Sequence, residues 1–262
     1  MAKMMIREAT IGDKIPILKF CQNTFSWGDY IEQVWDFWLS EGNLFVFEKQ
    51  FPVGICHAFY FKDQIWIEGI RIDPDHRRQK IASKLVMHAE IVGKAKNASF
   101  SYMLIDIQNS SSLKMAHSLD YEIFQTWNFF SLLPKHNLNH KIQFEKSLNL
   151  KRYNHYVKSW RWLPLDDSTL SKFYDEKKII KSTSLENDSI AILADSEHFT
   201  KTLIVTLFSG SENSVLELIS FLQNYAMEKK YERIQILTQE YLPTFDTLEH
   251  KISFYLMKKC LV

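Results

Sequence analysis

Apolar positions along the first 130 residues change spacing from strand-like to helical and back. Met4–Glu8 reads as a short strand. Beyond it Ile17, Leu18, Phe20 and Cys21 recur at helical spacing, with Asp13 placed to cap that helix. Gly28 interrupts the pattern. A second helix is predicted over Asp29–Leu39, with Tyr30, Val34, Phe37 and Trp38 on one face. Three apolar runs follow: Asn43–Glu48, Val53–Phe61 and Ile65–Ile72. The turns Gln50-Phe51-Pro52 and Lys62-Asp63-Gln64 join them into an antiparallel meander. Asp73–Lys80 is polar and leads into a helix that begins near Arg78 and buries Ile81, Leu85, Val86, Ala89 and Val92. Phe100–Ile107 is a buried strand. Asn109–Ser112 caps a short helix over Leu113–Leu119, and Tyr121–Leu132 returns as a strand.

The pattern weakens over residues 134–161, where Lys135, Lys141, Lys146, Lys151, Arg152, Lys158 and Arg161 face the single acid Glu145. This reads as a basic linker with irregular structure, either a solvated connector or a surface that recruits an anionic partner. Regular spacing resumes after it. A helix opens at Leu165–Ser168, Ser189–Ala194 and Lys201–Phe208 are strands, and Ser211–Ser214 caps a long helix over Val215–Lys229. Glu232–Thr238 and Ser253–Met257 are further strands. The expected organisation is thus an α/β unit over 1–133, the linker 134–161 and a smaller α/β unit over 162–262. The strand–helix–strand order of the last repeats the middle of the first. It is either a degenerate duplication or an independent module.

Composition narrows the functional classes. At 262 residues the chain has room for one large domain or two small ones. Only 7 residues are glycine, and no two lie close enough for a dinucleotide-binding or P-loop fingerprint. The net charge of +1 gives no bulk electrostatic case for nucleic acid or a membrane surface. Cys21, Cys56 and Cys260 are odd in number and far apart. That suits a reducing compartment and offers neither a disulfide framework nor a metal site. No apolar run is long enough to span a bilayer, and Met1–Thr10 lacks a signal core. A cytoplasmic protein is expected.

The chemistry concentrates between Glu68 and Ala82, in E-G-I-R-I-D-P-D-H-R-R-Q-K-I-A. A strand that ends before Pro74 and a helix that starts soon after leave free N–H groups and the positive end of the helix dipole beside Arg77 and Arg78. That arrangement suits a pyrophosphate. In this context residues 4–130 resemble the GNAT family of acyl-CoA-dependent N-acetyltransferases. The element order is that family's. Ile72-Asp73-Pro74 is similar to its strand end, and Arg77-Arg78-Gln79-Lys80-Ile81-Ala82 to its R-x-x-G-x-G/A phosphate loop. Asn109 followed by Leu119-Asp120-Tyr121 is similar to its closing segment. Two departures stand out: Lys80 and Asp120 occupy positions where the family pattern has glycine. Lys80 is expected to be tolerable only with helical dihedrals and an outward side chain, where its charge could help hold a CoA phosphate. Otherwise co-substrate binding is weakened. Gly28-Asp29-Tyr30-Ile31 with Trp35 and Trp38, together with Glu68-Gly69-Ile70-Arg71-Ile72, further resembles histidine N-acetyltransferase-like members, which also carry an extra C-terminal region.

The resemblance implies a mixed, largely antiparallel sheet flanked by helices, acetyl-CoA as co-substrate, and direct attack by a primary amine in a ternary complex. It assigns the co-substrate to Ile70, Arg71 and Ile72 on the fourth strand, Arg77, Arg78, Gln79, Lys80, Ile81, Ala82 and Ser83 on the phosphate loop, and Asn109 and Ser112. Those last two also read as plain caps. The oxyanion donors would be backbone N–H groups of Ile70 and Ile72, with Gly69 permitting a bulge. Glu68, in an otherwise apolar run, is the candidate base, since desolvation raises a carboxyl toward a useful range. It also reads as a strand-face glutamate paired with Arg71 or Lys62. His57 is the second candidate and, with Trp27 and Tyr30, lines the acceptor side. No general acid is assigned, because Ala116 stands where the family commonly has a tyrosine. The expected partner is a small-molecule amine, with no metal, nucleic acid or membrane, in a monomer or homodimer. Two other functions remain: a catalytically inactive acyl-CoA-binding or partner-binding scaffold, and a peptide N-acetyltransferase.

Overall fold

In a computed structural model, residues 5–22, 24, 28–137, 142–144, 154–182 and 187–261 are described. The chain divides into two compact units, one of residues 1–125 with 255–262 and one of residues 126–254. Both are mixed α/β.

The first unit opens with β1 (Met5–Glu8), a 3-10 turn at Ile11–Asp13, α1 (Lys14–Cys21) and α2 (Ile31–Glu41). Asp13 precedes α1 but makes no side-chain cap bond to it. Its carboxylate instead holds Arg7 at 2.7 and 2.8 Å and the backbone N–H of Thr10 at 2.7 Å. The meander follows as β2 (Leu44–Glu48), β3 (Pro52–Phe61) and β4 (Gln64–Ile72). α3 spans Ile81–Ala95, three residues later than the apolar spacing suggested. β5 (Phe100–Asp106), α4 (Ser110–His117) and the start of β6 (Glu122–Leu132) complete the unit's N-terminal part. β1 through β5 lie in sequence order, antiparallel except for the parallel β4–β5 pair.

Helices cover this sheet on both faces. Strict alternation along β2 sends Phe45 and Phe47 to a core shared with Ile81, Leu85, Val86 and Ala89 of α3. Leu44 and Val46 go to the opposite core, with Ile17, Cys21, Ile31, Val34, Trp35 and Trp38 of α1 and α2.

The second unit continues with β7 (Ile142–Phe144), β8 (His155–Lys158) and β9 (Arg161–Pro164). β7 and β8 lie in the stretch expected to be a linker, and β9 begins at its last residue. The basic residues hid them: in β8 and β9 they flank buried Tyr156, Val157, Trp162 and Leu163. Then come α5 (Asp167–Asp175), β10 (Ile179–Ser182), β11 (Ile190–Asp195), β12 (Thr202–Phe208), α6 (Glu212–Glu228), β13 (Arg233–Thr238) and β14 (Leu248–Cys260). The unit's sheet runs β6, β13, β12, β11, β10, β7, with β12 and β13 parallel across α6 and β8–β9 a separate hairpin. The expected boundary at 133 therefore moves. The second unit begins at residue 126, and the last strand of the chain ends in the first unit. There Met257 and Leu261 are buried in the α3 core, and Lys259 pairs with buried Glu90 at 2.8 Å.

Candidate functional site

The site of the first unit begins with a break in strand alternation. Ile65 and Ile67 of β4 face the α3 core, as the strand period requires. Ile70 and Ile72 pack against that same core, so the pattern slips by one residue between Ile67 and Ile70. The pairing with β3 shows why. His57 opposes Glu68 and Ile55 opposes Arg71, so three steps on β4 match two on β3. This is a β-bulge at Gly69, whose φ is +65°. A Cβ there would lie 2.4 Å from the Trp38 ring. The bulge puts Glu68 and Arg71, three residues apart, on the same face of the sheet, the one that α2 covers.

On that face Glu68 sits in a polar group that the fold buries. The imidazole of His57, fully buried, places Nδ1 2.9 Å from Glu68 Oε1 and Nε2 3.1 Å from the carbonyl oxygen of Gly42. Glu41 Oε2 lies 3.7 Å from the same Nε2. Trp66 Nε1 donates to Glu68 Oε2 at 3.1 Å. The Trp38 ring stacks on the imidazole, 4.8 Å between centroids and 5° between planes. The expected base and the second candidate are thus neighbours on paired strands. Glu41, Gly42 and Trp66 complete the group without having been chosen from sequence. Gly42 is the C-cap of α2, with a φ of +79° and its N–H donating to the Trp38 carbonyl.

Next to it, Arg71 donates to both carboxylate oxygens of Asp29, at 2.6 and 3.0 Å. Asp29 Oδ1 also accepts from the backbone N–H of Ile31, the first residue of α2, at 3.2 Å. The guanidinium lies 5.2 Å from the centre of the Tyr30 ring. Burial pushes the Tyr30 phenol up. Arg71 was expected among the co-substrate residues; its side chain pairs with Asp29. Glu68 takes hydrogen-bond partners in His57 and Trp66. Trp27 lies outside the described residues.

The other half of the site is the segment after β4. The parallel ladder with β5 runs from Gln64↔Phe100 to Ile67↔Met103, and from Glu68 onward β4 leaves it. The backbone of Ile70, Arg71 and Ile72 lies in this departing stretch. Asp73 accepts from the N–H of Asp75 at 3.0 Å in a 3-10 turn at Pro74–His76. Arg77 Nε donates to the Ile72 carbonyl at 3.3 Å, and Lys49 Nζ donates to Gln79 at 2.7 Å. Arg77, Arg78, Gln79 and Lys80 are exposed. Lys80 is the N-cap residue of α3 and makes no side-chain cap bond, so the first N–H groups, at Ile81, Ala82 and Ser83, receive none from it.

Lys80 corrects an expectation. It does not keep helical dihedrals: its φ is 57° and its ψ 23°, the left-handed conformation, and Arg78 has a φ of 63°. Two left-handed residues delay the helix to Ile81. Asp120 likewise has a φ of 65°. Both positions where the resembled pattern carries glycine therefore keep glycine's backbone without glycine. Asn109 accepts from Ser112 N–H at 3.0 Å as the cap of α4. Ala116 is fully buried in the core. Among the described residues no group of three or more His, Cys, Asp or Glu side chains is placed to hold a metal ion, and no helix is long and apolar enough to cross a membrane.

Comparison with known proteins agrees with this layout. Residues 14–121 match the model of the acetyltransferase (GNAT) family. No curated protein matches the sequence. Among solved structures, a candidate acetyltransferase from Thermoplasma acidophilum is similar, with a TM-score of 0.65 and 12% identity over 98% of this chain and 99% of that one. A GCN5-related N-acetyltransferase from Sphaerobacter thermophilus gives 0.64 and 11% over 98% and 96%. One from Anabaena variabilis gives 0.52 and 10% over 99% and 73%. At such identities the likeness is one of fold.

Proposed function

We propose that this chain, whose residues 14–121 match the model of the acetyltransferase (GNAT) family, is an N-acetyltransferase, that its acceptor is a primary amine of a small molecule or amino acid and that Glu68 is its base. The family generally uses acetyl-CoA as co-substrate, which supplies the acetyl group as a thioester. The residues present fit it. The α3 N-terminus has no side-chain cap, exposed Arg77, Arg78 and Lys80 surround it, and β4 leaves its ladder beside it. An uncapped helix end with fixed positive charge favours phosphates. The backbone of Ile70, Arg71 and Ile72, together with Asn109 and Ser112, would hold the rest of the co-substrate.

The observation that carries the acceptor reading is the bulge at Gly69. It brings Arg71 onto the α2 face beside Glu68, where β4 departs from β5. Glu68 and Glu41 give this face two carboxylates beyond the Asp29–Arg71 pair, a lining that attracts an ammonium ion. Tyr30, half-buried and packed edge-on to the buried Trp38, adds an aromatic ring to this face. The amine nitrogen attacks the thioester carbonyl carbon. Its C–N bond forms, its proton passes to Glu68, and the C–S bond breaks to release the CoA thiolate, which then takes up a proton. An amino-acid α-amine, as in the histidine N-acetyltransferase-like members, is the finer reading. It is supported by Asp29, Tyr30, Glu68 and Arg71 meeting on one face.

Acetyl-CoA titration by calorimetry followed by thiol release against amino acids and polyamines tests the reading. Glu68→Gln is expected to lower kcat by about a hundredfold or more while leaving co-substrate affinity in place. Full turnover in that variant removes Glu68 from the chemistry.

A further inference from the structure

We propose that the turn between β2 and β3 receives the 3′-phosphoadenosine end of the co-substrate, with Lys49 and Lys84 on its phosphomonoester and Phe51 against its adenine. The proposal rests on acetyl-CoA being the acetyl donor. It adds to that reading a preference for CoA over its 3′-dephosphorylated form.

The fold brings this turn to the proposed phosphate loop. β3 and β4 are antiparallel, so the start of β3 lies beside the end of β4: Gly54 opposes Ile72, and the Asp73 N–H donates to the Val53 carbonyl at 3.0 Å. The turn itself is held by the Lys49 N–H on the Phe51 carbonyl at 3.2 Å. Two of its side chains then reach the segment after β4. Lys49 Nζ donates to Gln79 Oε1 at 2.7 Å, one residue before the α3 N-cap. The Phe51 ring meets the His76 ring edge to face, 5.8 Å between centroids. Gly54 lets α3 start this close to the turn. A Cβ there would lie 2.8 Å from Ile72 Cδ1 and 3.1 Å from Cγ2 of Ile81, the first residue of α3.

CoA carries two separate anionic groups, a diphosphate in its middle and a phosphomonoester on the ribose of its adenosine. The uncapped α3 N-terminus with Arg78 and Lys80 suits the first. The second carries roughly two negative charges at pH 7 and needs cations of its own. Lys49 and Lys84 supply them on the β2 side of the helix end. The exposed Lys84 holds Nζ 5.6 Å from the centre of the Phe47 ring, and Phe47 stands two residues before Lys49 on the same strand. Glu48, between these two in sequence, is engaged by Arg7 Nε at 2.5 Å. The acceptor that Lys49 holds is a neutral amide. A phosphate oxygen makes the stronger, charge-assisted bond to the same ammonium, so it displaces Gln79 readily. Phe51 is 48% exposed. An exposed ring beside two ammonium groups is the pairing that a phosphorylated purine nucleotide calls for, stacking for the base and charge for the phosphate.

Calorimetry on the full chain with CoA and with 3′-dephospho-CoA tests this without turnover. The wild type is expected to bind CoA about tenfold more tightly than dephospho-CoA, the scale of a hydrogen-bonded contact to a charged group. In the double variant Lys49→Ala with Lys84→Ala, that ratio should fall to within about twofold of one. Phe51→Ala should weaken both ligands by the same factor and keep the ratio, because both carry the adenine. Equal binding of the two by the wild type, or an unchanged ratio in a double variant that melts as the wild type does, overturns the proposal. A Phe51→Ala protein that binds both ligands as tightly as the wild type overturns the adenine contact. CoA bound without the preference leaves the proposed function standing. A wild type that shows the preference and acetylates no amine overturns the acceptor reading alone, and one that binds neither ligand overturns both.

Discussion

At the residue scale, the scarcity of glycine resolves into where the chain spends its left-handed backbone. Twelve non-glycine residues in the described chain have positive φ, five of them lysines: Lys62, Lys80, Lys177, Lys201 and Lys230. A Cβ makes that conformation cost roughly 1–2 kcal/mol per residue. At Lys80 the cost falls inside the proposed phosphate loop, so backbone and charge can be separated by substitution. Lys80→Gly removes both the strain and the ammonium; Lys80→Ala keeps the Cβ and loses only the charge. The glycine variant is expected to be about 1 kcal/mol more stable than wild type, and the alanine variant no more stable. Both should bind acetyl-CoA a few-fold more weakly, by the roughly 0.3–1 kcal/mol that a cation contributes toward an anion near a helix end. Thermal melts and calorimetry on the pair check this. Tighter binding in both variants would mean the lysine obstructs the co-substrate. Sequence gave the departure from glycine but not its consequence, since dihedral angles are invisible in a pattern that lysine breaks.

At the element scale, strand and helix positions were largely legible, because burial on one face forces period 2 or 3.6 onto the residues. What escaped was the connection. Ser159 and Trp160, with φ of 50° and 62°, turn β8 into β9. A Ser-Trp pair carries none of the glycine or asparagine that marks such a hairpin. The bulge in β4 was legible because a glycine stood at it. Its effect, bringing Arg71 round to Asp29, was not, since Asp29 lies 42 positions away. The bulge also makes Gly69 the most constrained residue of the site. Gly69→Ala would meet the Trp38 ring at 2.4 Å in a backbone that already disfavours a Cβ. Overpacking of this kind costs about 1–3 kcal/mol, to which the left-handed penalty adds. The variant is expected to melt earlier and, because Trp38 must shift, to lose the stacking on His57. A drop in kcat beyond what the loss of folded protein explains, measured well below the melting point, separates these two effects. Unchanged activity would mean the Trp38–His57 stack is dispensable.

At the scale of the whole molecule, the expected division into two α/β units rested on the basic stretch 134–161, and that stretch lies inside the second unit, which begins at residue 126. Local spacing says which residues form a strand, but not which sheet takes it. The second unit shares the parallel strand–helix–strand order, yet its ladder is paired through Leu207↔Thr238. The α6 N-terminus is capped by the Ser211 side chain and carries Glu212 in its first turn. Those features do not favour a second phosphate cradle. The first unit, in turn, depends on residues far along the chain. Met257 is fully buried and Leu261 nearly so, Lys259 pairs with Glu90, and the Leu261 N–H donates to Ser99 at 2.8 Å. Glu90 also accepts from Tyr121 at 2.8 Å, so removing Lys259 leaves a buried carboxylate beside a buried phenol. A chain ending at Phe254 keeps every residue proposed here for acetyl transfer. It is nonetheless expected to lose both activity and the cooperative melting of the first unit. Burying Met257 and Leu261 alone is worth about 1.5–3 kcal/mol each, a large share of a typical domain's 5–15 kcal/mol. Supplying residues 255–262 as a free peptide should restore some transferase activity if strand pairing is what is missing. If the truncated chain acetylates at the wild-type rate, the last strand is peripheral to the first unit.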